Sequence, residues 1–407
     1  MKVGVYFDDV TPEKGGASSI LKTIEGELGK IREQYEIVIC YNGGRKFPYK
    51  TDRDGLTYIN VDRLRYKSIP KMFVKNAGNS IRNAGLRLFY HSPRIYRESY
   101  LDYLAEKENI DIYWFTYPAD VDLTTPFIYT IWDIGHRVMP AFPETTKPMY
   151  RWNGHETQCA RMLAKATFIL TGNETGKQEI LQNYSVMGSK IRIVPFPVSF
   201  FCYENESKPG FELPKDYFFY PAQFWPHKNH ACIVKALAFL RREKNIDAHV
   251  IFTGSDKGNK AYIKGLAEKL GVSDLINFAG FVSYEEMKYL YTHARGMVFA
   301  SLMGPNNIPP IEAVYLGCPL IITDIPGHKE QMGESALFFD GYDEKSLAAC
   351  MEKLLCSDEA VKALLEKQEL MRKEVASYSY ADRIISVLDE FRRMSGTWKY
   401  DDSMGKQ

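Results

Sequence analysis

The sequence predicts an α/β protein of two Rossmann-like, doubly wound domains. Three observations carry this. Short apolar runs alternate with stretches of helical period almost throughout the 407 residues. The runs are apolar without alternation, as suits strands covered by helices on both faces. The pattern repeats on either side of one polar, proline-bearing break, which calls for two cores.

Residues 3–7 read as the first core strand, and Ile20, Ile24 and Leu28 then share one face of a helix. Runs at 37–41, 112–115, 127–131, 168–171 and 192–194 read as further strands. The break follows, with Pro197, the charged run from Glu204 to Lys208, Pro209, Gly210 and Pro214. Such a cluster marks a linker. Beyond it the alternation is cleaner. Strands at 217–220, 249–252, 276–278, 297–300, 320–323 and 337–339 are separated by helical stretches such as Ile233, Leu237 and Leu240. A last amphipathic helix at 380–394 carries Ile384, Ile385, Leu388 and Phe391 on one side. The predicted domains are 1–196 and 210–379, with 380–394 packing back on the first.

Composition bounds the function classes. Hydrophobic residues make up 45% and charged residues 25%, as in ordinary folded proteins. A formal net charge of +1 excludes nucleic-acid binding driven by overall charge. The seven cysteines are odd in number and form no C-x-x-C pair, which predicts reduced thiols and neither a disulfide framework nor a zinc site. The N-terminus meets Asp8 and Asp9 too soon for a signal peptide, and no apolar run approaches the ~20 residues of a spanning helix. The expected location is cytoplasmic, either free or peripheral on the inner face of the membrane. Between Arg63 and Arg97 basic residues recur without an acid, interleaved with Phe73, Leu88 and Tyr90. That stretch reads either as a contact with an anionic leaflet or as a solvated basic face. No motif there supports nucleic acid.

The densest chemical signal runs from Ala300 to Glu312. A strand ends at Ala300, Gly304 and Pro305 turn the chain, and a helix can begin near Pro310. The free amides of that helix, with those of Asn306, Asn307 and Ile308, predict an anion pocket at a positive helix end, for which a diphosphate is the natural ligand. Glu312 is placed in the first turn, where it can accept from sugar or ribose hydroxyls. The plainer alternative is a βα turn with a capping glutamate. Lys228, just after the strand 217–220, reads as a clamp for diphosphate charge or as a surface lysine. Asp120 and Asp122 have Asp-x-Asp spacing but read as a loop, and no other cluster has metal-ligand spacing.

These residues resemble the sugar-nucleotide loop of the group 1 (family 4) retaining glycosyltransferases of the GT-B fold. Glu312 matches the second glutamate of their E-x7-E motif, which usually holds the ribose. The first falls at Gly304 and is absent, as in a subgroup reading Gly-Pro-x-Asn-Ile-Pro-Pro. The segment from Tyr220 to Asn229 agrees: Lys228 matches the phosphate-binding lysine, Gln223 replaces the usual arginine, and His227 can supply part of its charge. The resemblance assigns Phe281 and Val282 to the nucleobase, and Gly15 and Gly16 to a loop near the donor diphosphate. The segment 130–137 is similar to Thr-Ile-His-Asp-Leu, with Trp132 in place of the histidine. His136 is then a candidate for donor-sugar contact or a structural histidine, and Asp133 for orienting acceptor or backbone. The likeness spans most of the chain, densest in 217–340.

The family implies a nucleotide-sugar donor, a glycan or polyprenyl-linked acceptor, retention of anomeric configuration, no cofactor and no metal, in cell-surface polysaccharide or O-antigen synthesis. Two alternatives stay open on the same fold: a sugar-nucleotide epimerase, and a non-catalytic nucleotide-sugar-binding protein that lost activity with Gly304.

Overall fold

The computed structural model describes residues 1–7, 16–42, 48–53, 55–62, 99–146 and 152–397. Gly15 and the basic stretch 63–97 lie outside the described residues.

The first sheet has eight strands: β1 (Lys2–Phe7), β2 (Glu36–Tyr41), β3 (Lys50–Arg53), β4 (Leu56–Asn60), β5 (Ile112–Phe115), β6 (Phe127–Thr130), β7 (Phe168–Thr171) and β8 (Ile191–Ile193). Their order is β3-β4-β2-β1-β5-β6-β7-β8, parallel except that β3 runs antiparallel to β4. The central strands are buried at every position, as in β5 and β6, because helices cover both faces.

The second sheet has six parallel strands: β9 (Tyr217–Pro221), β10 (His249–Thr253), β11 (Ile276–Gly280), β12 (Gly296–Phe299), β13 (Leu320–Thr323) and β14 (Leu337–Phe339), in the order β11-β10-β9-β12-β13-β14. In both sheets the order reverses beside the first strand, between β1 and β5 and between β9 and β12. Parallel sheets open a crevice at such a switch, at the carboxyl ends of the strands. The fold is GT-B: the loops leaving β5, β6 and β7 meet those leaving β9, β12 and β13.

Residues 194–216 lead from the first domain to the second. After helix Asp358–Ser377 the chain crosses back, and helix Tyr380–Ser395 lies on helix Gly16–Ile31 of the first domain. Ile384, Ile385, Leu388 and Phe391 are buried there. Polar ties frame the seam: Ala381 N donates to Glu27 (3.2 Å), Tyr35 Oη to Asp389 (2.5 Å) and Arg192 Nε to Glu390 (3.0 Å). Tyr378 Oη donates to the Pro195 carbonyl (3.1 Å), so the two crossings touch each other.

Candidate active site

Lys228 follows His227, which lines the interdomain crevice. The turn Pro226–Lys228 follows β9, and Asn229 adopts a left-handed conformation (φ 54°) before the next helix starts. Tyr220 Oη holds the Lys228 carbonyl at 2.6 Å. The Lys228 ammonium donates to Ser301 Oγ (3.3 Å) and lies over the Phe299 ring, and no ion pair with a carboxylate forms among the described residues. Burial pushes its pKa down to about 8, although Asp133 and Glu144 pull it up.

Two cavities of about 280 Å³ each flank this point, sharing Asp133, Gly135 and Met303 as walls. Asp133 comes from the loop after β6. One of its oxygens accepts from Gly135 N (2.8 Å), which fixes the turn, and its side chain faces the crevice. Gly135 packs under the end of the Met303 side chain, which would have to move for a methyl there, 2.8 Å from its Cε.

His136 follows on the short helix Gly135–Val138 and lines the first cavity. Its Nε2 meets Glu156 (3.2 Å) and Tyr184 Oη (3.2 Å). Arg137 forks onto the same carboxylate, and Tyr184 Oη donates to it at 3.0 Å. Burial lowers the His136 pKa, partly offset by Glu156, so the ring is neutral near pH 7. This nitrogen is committed to the protein. Of the two readings left open by the sequence, the network favours the structural one.

The Glu156 pKa is lowered to about 2, first by Arg137, against burial. A depressed carboxylate stabilises the fold above its unfolded pKa, and that contribution is lost as pH falls from about 4.5 to 2. We expect Glu156→Ala to cost on the order of 3 kcal/mol at pH 7, by leaving Arg137 and Tyr184 without their acceptor. Urea unfolding at pH 7 and pH 3 checks this: the penalty should shrink markedly at pH 3.

The loop 304–308 departs from expectation. Helix Ile308–Tyr315 begins two residues before Pro310, with Pro309 and Pro310 in its first turn. Its opening is filled by protein. Asn307 N donates to Gln331 Oε1 (3.1 Å), and Gln331 Nε2 reaches both Asn306 Oδ1 and the Asn307 carbonyl. Asn306 is buried against Gly172 of the first domain, where a methyl would fall 2.7 Å from its Cγ. Of the amides of Asn306 to Ile308 expected to form an anion pocket, that of Asn307 already has its acceptor in the Gln331 carboxamide.

Glu312 is placed one turn later than expected. It lies in the second turn of that helix and is buried, accepting from Ser199 Oγ (2.5 Å) and Tyr291 Oη (2.6 Å). Burial raises its pKa against those two hydrogen bonds. In this state it ties the interdomain segment to the second domain, and a ribose would have to displace Ser199 to reach it.

The remaining candidates sit around the crevice. Gln223 Oε1 accepts from Trp225 Nε1 (3.1 Å). Phe281 is 66% exposed while its neighbour Val282 is buried. Ser283 caps the following helix reciprocally with Glu286, which fixes that loop. Gly16 opens helix Gly16–Ile31. Asp120 and Asp122 pair with Arg161 and Lys165 on the surface.

Sequence reasoning missed several crevice residues. Glu144 reaches across from helix Pro143–Thr146 to His227, and Glu330 caps helix Glu174–Asn183 through Glu174 N and Thr175 N (both 2.7 Å). Glu179 lines the second cavity with Gly304, and burial with the nearby Asp133 charge raises its pKa to about 7. No local pattern announces them, since each depends on where the opposite domain sits.

Residues 203–372 match the family model described as glycosyl transferases group 1. The O-antigen chain mannosyltransferase of Salmonella typhimurium is 27% identical over 233 residues, covering 56% of this chain and 58% of that relative. The chain thus spans less than two thirds of that relative's length. Among solved structures, the sucrose-phosphate synthase of Thermosynechococcus elongatus superposes with a TM-score of 0.71 at 14% identity, over 98% of this chain and 100% of that one. Anabaena HepE, solved in complex with UDP and glucose, superposes at 0.64 with 12% identity, over 96% and 100%. Residues 203–372 thus resemble the group 1 glycosyl transferases, within a chain whose fold is GT-B.

Proposed function

We propose that the protein is a retaining glycosyltransferase, moving a hexosyl group from a nucleotide sugar to a glycan or polyprenyl-linked acceptor in cell-surface polysaccharide or O-antigen synthesis. The observation that carries this reading is Lys228, an ammonium beside the crevice that bonds the Ser301 hydroxyl, forms no ion pair with a carboxylate among the described residues, and has its pKa lowered by burial. The donor's diphosphate supplies the missing counter-charge. The mannosyltransferase names of relatives make mannose the first donor sugar to try.

In this reading Lys228 neutralises charge as it builds on the leaving phosphate. The bond from the anomeric carbon to the phosphate oxygen breaks, and a bond to the acceptor oxygen forms on the same face. The acceptor proton passes to the departing phosphate. Asp133, beside both cavities, orients the acceptor, and Phe281 offers its exposed ring to the base. Engaging the loop 304–308 requires Gln331 to release Asn307 N, so donor binding is coupled to a local rearrangement. No resident metal or cofactor enters the scheme, and the protein works in the cytoplasm, at the inner face of the membrane when the acceptor is lipid-linked. The epimerase alternative is not favoured, since the relatives are transferases.

A thermal-shift series with GDP-mannose, UDP-glucose, UDP-N-acetylglucosamine and dTDP-glucose tests the reading. One of them should stabilise the fold by about 2.7 kcal/mol at a hundredfold excess over Kd. No shift with any of them, or conversion of the donor to an isomer without acceptor, would sink it.

A further inference from the structure

The first cavity has a chemistry of its own. Trp132, Trp225 and Tyr117 are among its lining residues, with Gln158 and His155. Glu144 enters from helix Pro143–Thr146 with its side chain 6% exposed. Its Oε1 accepts both from His227 N (2.9 Å) and at His227 Nδ1 (2.6 Å), across the domain boundary. Its Oε2 is fully buried and has no hydrogen-bond partner among the described residues. A buried carboxylate oxygen left unpaired is costly unless a ligand completes it.

The charge of the cavity selects the ligand class. Two carboxylates, Glu144 and Asp133, face it. Burial pulls the pKa of His227 down despite Glu144, and lowers those of His136 and His155. Hydrogen bonds from His227 outweigh burial at Glu144 and keep its carboxyl below the usual range. Lys228 turns its ammonium away, to Ser301. The space is neutral to negative and repels phosphate. About 280 Å³ lies at the small end of ligand pockets, which run roughly 300–1,000 Å³, and suits one ring rather than a chain. Flat aromatic walls with a hydrogen-bond acceptor suit the apolar face and hydroxyls of a pyranose.

We propose that this cavity is the subsite for one neutral sugar ring of the acceptor, with Glu144 Oε2 receiving a ring hydroxyl while Oε1 holds the His227 turn. The inference rests on the glycosyltransferase reading and adds the residue that recognises the acceptor. Most of the wall belongs to the first domain, and Trp225, His227 and Met303 close it from the second. The ring is thus bound only where both domains meet, beside the anion site at Lys228.

Glu144→Gln separates the two oxygens. The amide oxygen still accepts from His227 N, while the amide nitrogen turns the free acceptor into a donor. The probes are methyl α-D-mannopyranoside, methyl α-D-glucopyranoside and methyl α-D-galactopyranoside, followed by tryptophan fluorescence with the full-length protein. We expect one of them to bind the wild type saturably, and Glu144→Gln to weaken it at least about tenfold. Nucleotide affinity should change less than about twofold, and the melting temperature should hold. Trp225→Leu, which keeps the carboxylate, should weaken the same glycoside if Glu144→Gln does not fold. Undiminished glycoside binding in both variants, or no glycoside binding by a wild type that binds nucleotide normally, overturns the subsite alone. Inorganic pyrophosphate competing directly with the glycoside also overturns it. Failure of every nucleotide to bind would instead strike the glycosyltransferase reading.

Discussion

Lys228→Met should lower kcat/KM for the nucleotide sugar by about 10²–10³-fold while leaving the fold as stable as before or firmer. The ammonium has no carboxylate partner in the described structure, so removing it leaves no orphaned acid behind. Its pKa falls from 10.5 to about 8 because burial disfavours the charged form. A cation so depressed subtracts from stability while charged. Between pH 8 and 10.5 the unfolded chain holds the extra proton, and native stability rises with pH. Methionine of similar length removes this penalty, so a gain of roughly 1 kcal/mol at pH 7 is expected by denaturant unfolding. The same sign governs binding. A diphosphate needs the protonated lysine, so nucleotide affinity should weaken as pH climbs through 8 in the wild type and stay flat in the variant. Calorimetry at pH 7 and pH 9 reads both.

Gly327→Ala is the second large effect. Gly327 is the second residue of helix Pro326–Met332, after β13, and lies against the backbone of Pro305. A methyl there would stand 2.5 Å from Pro305 Cα and 2.7 Å from its carbonyl carbon. Backbone cannot rotate aside as a side chain can, so the 304–308 loop must shift. Overpacking of this kind costs about 1–3 kcal/mol. The loss of activity should be larger, since a displacement of about 1 Å near the chemistry can cost about 10²-fold. The Pro305 carbonyl also accepts from Asn173 Nδ2 (2.6 Å), so the shift reaches the first domain. Turnover at saturating donor, alongside a melting curve, checks it. A variant with wild-type turnover would show that the loop position is immaterial.

The sheets were legible because parallel strands buried on both faces are uninterrupted apolar runs; β5, β6, β13 and β14 begin and end within one residue of expectation. β3 was not, since all four of its residues are exposed at a sheet edge and read as polar loop. The site divides the same way. Lys228 and Asp133 lie in the loops that follow β9 and β6, on the side where the strand pattern itself marks a crevice. Glu144, Glu330 and Gln331 depend on contacts with segments far away in sequence, two of them in the opposite domain, and nothing local betrays such a pairing. The Gln331 carboxamide also explains why a helix that looked open from its prolines is occupied.

The chain crosses between domains twice, and Tyr378 on the return strand bonds Pro195 on the outgoing one. One tether lets two bodies swivel freely. Two tethers fastened side by side define a hinge line, which leaves opening and closing as the easy movement and resists twisting. The Glu144 and Glu330 contacts then part and re-form together, so the proposed acceptor and donor sites are assembled by the same stroke.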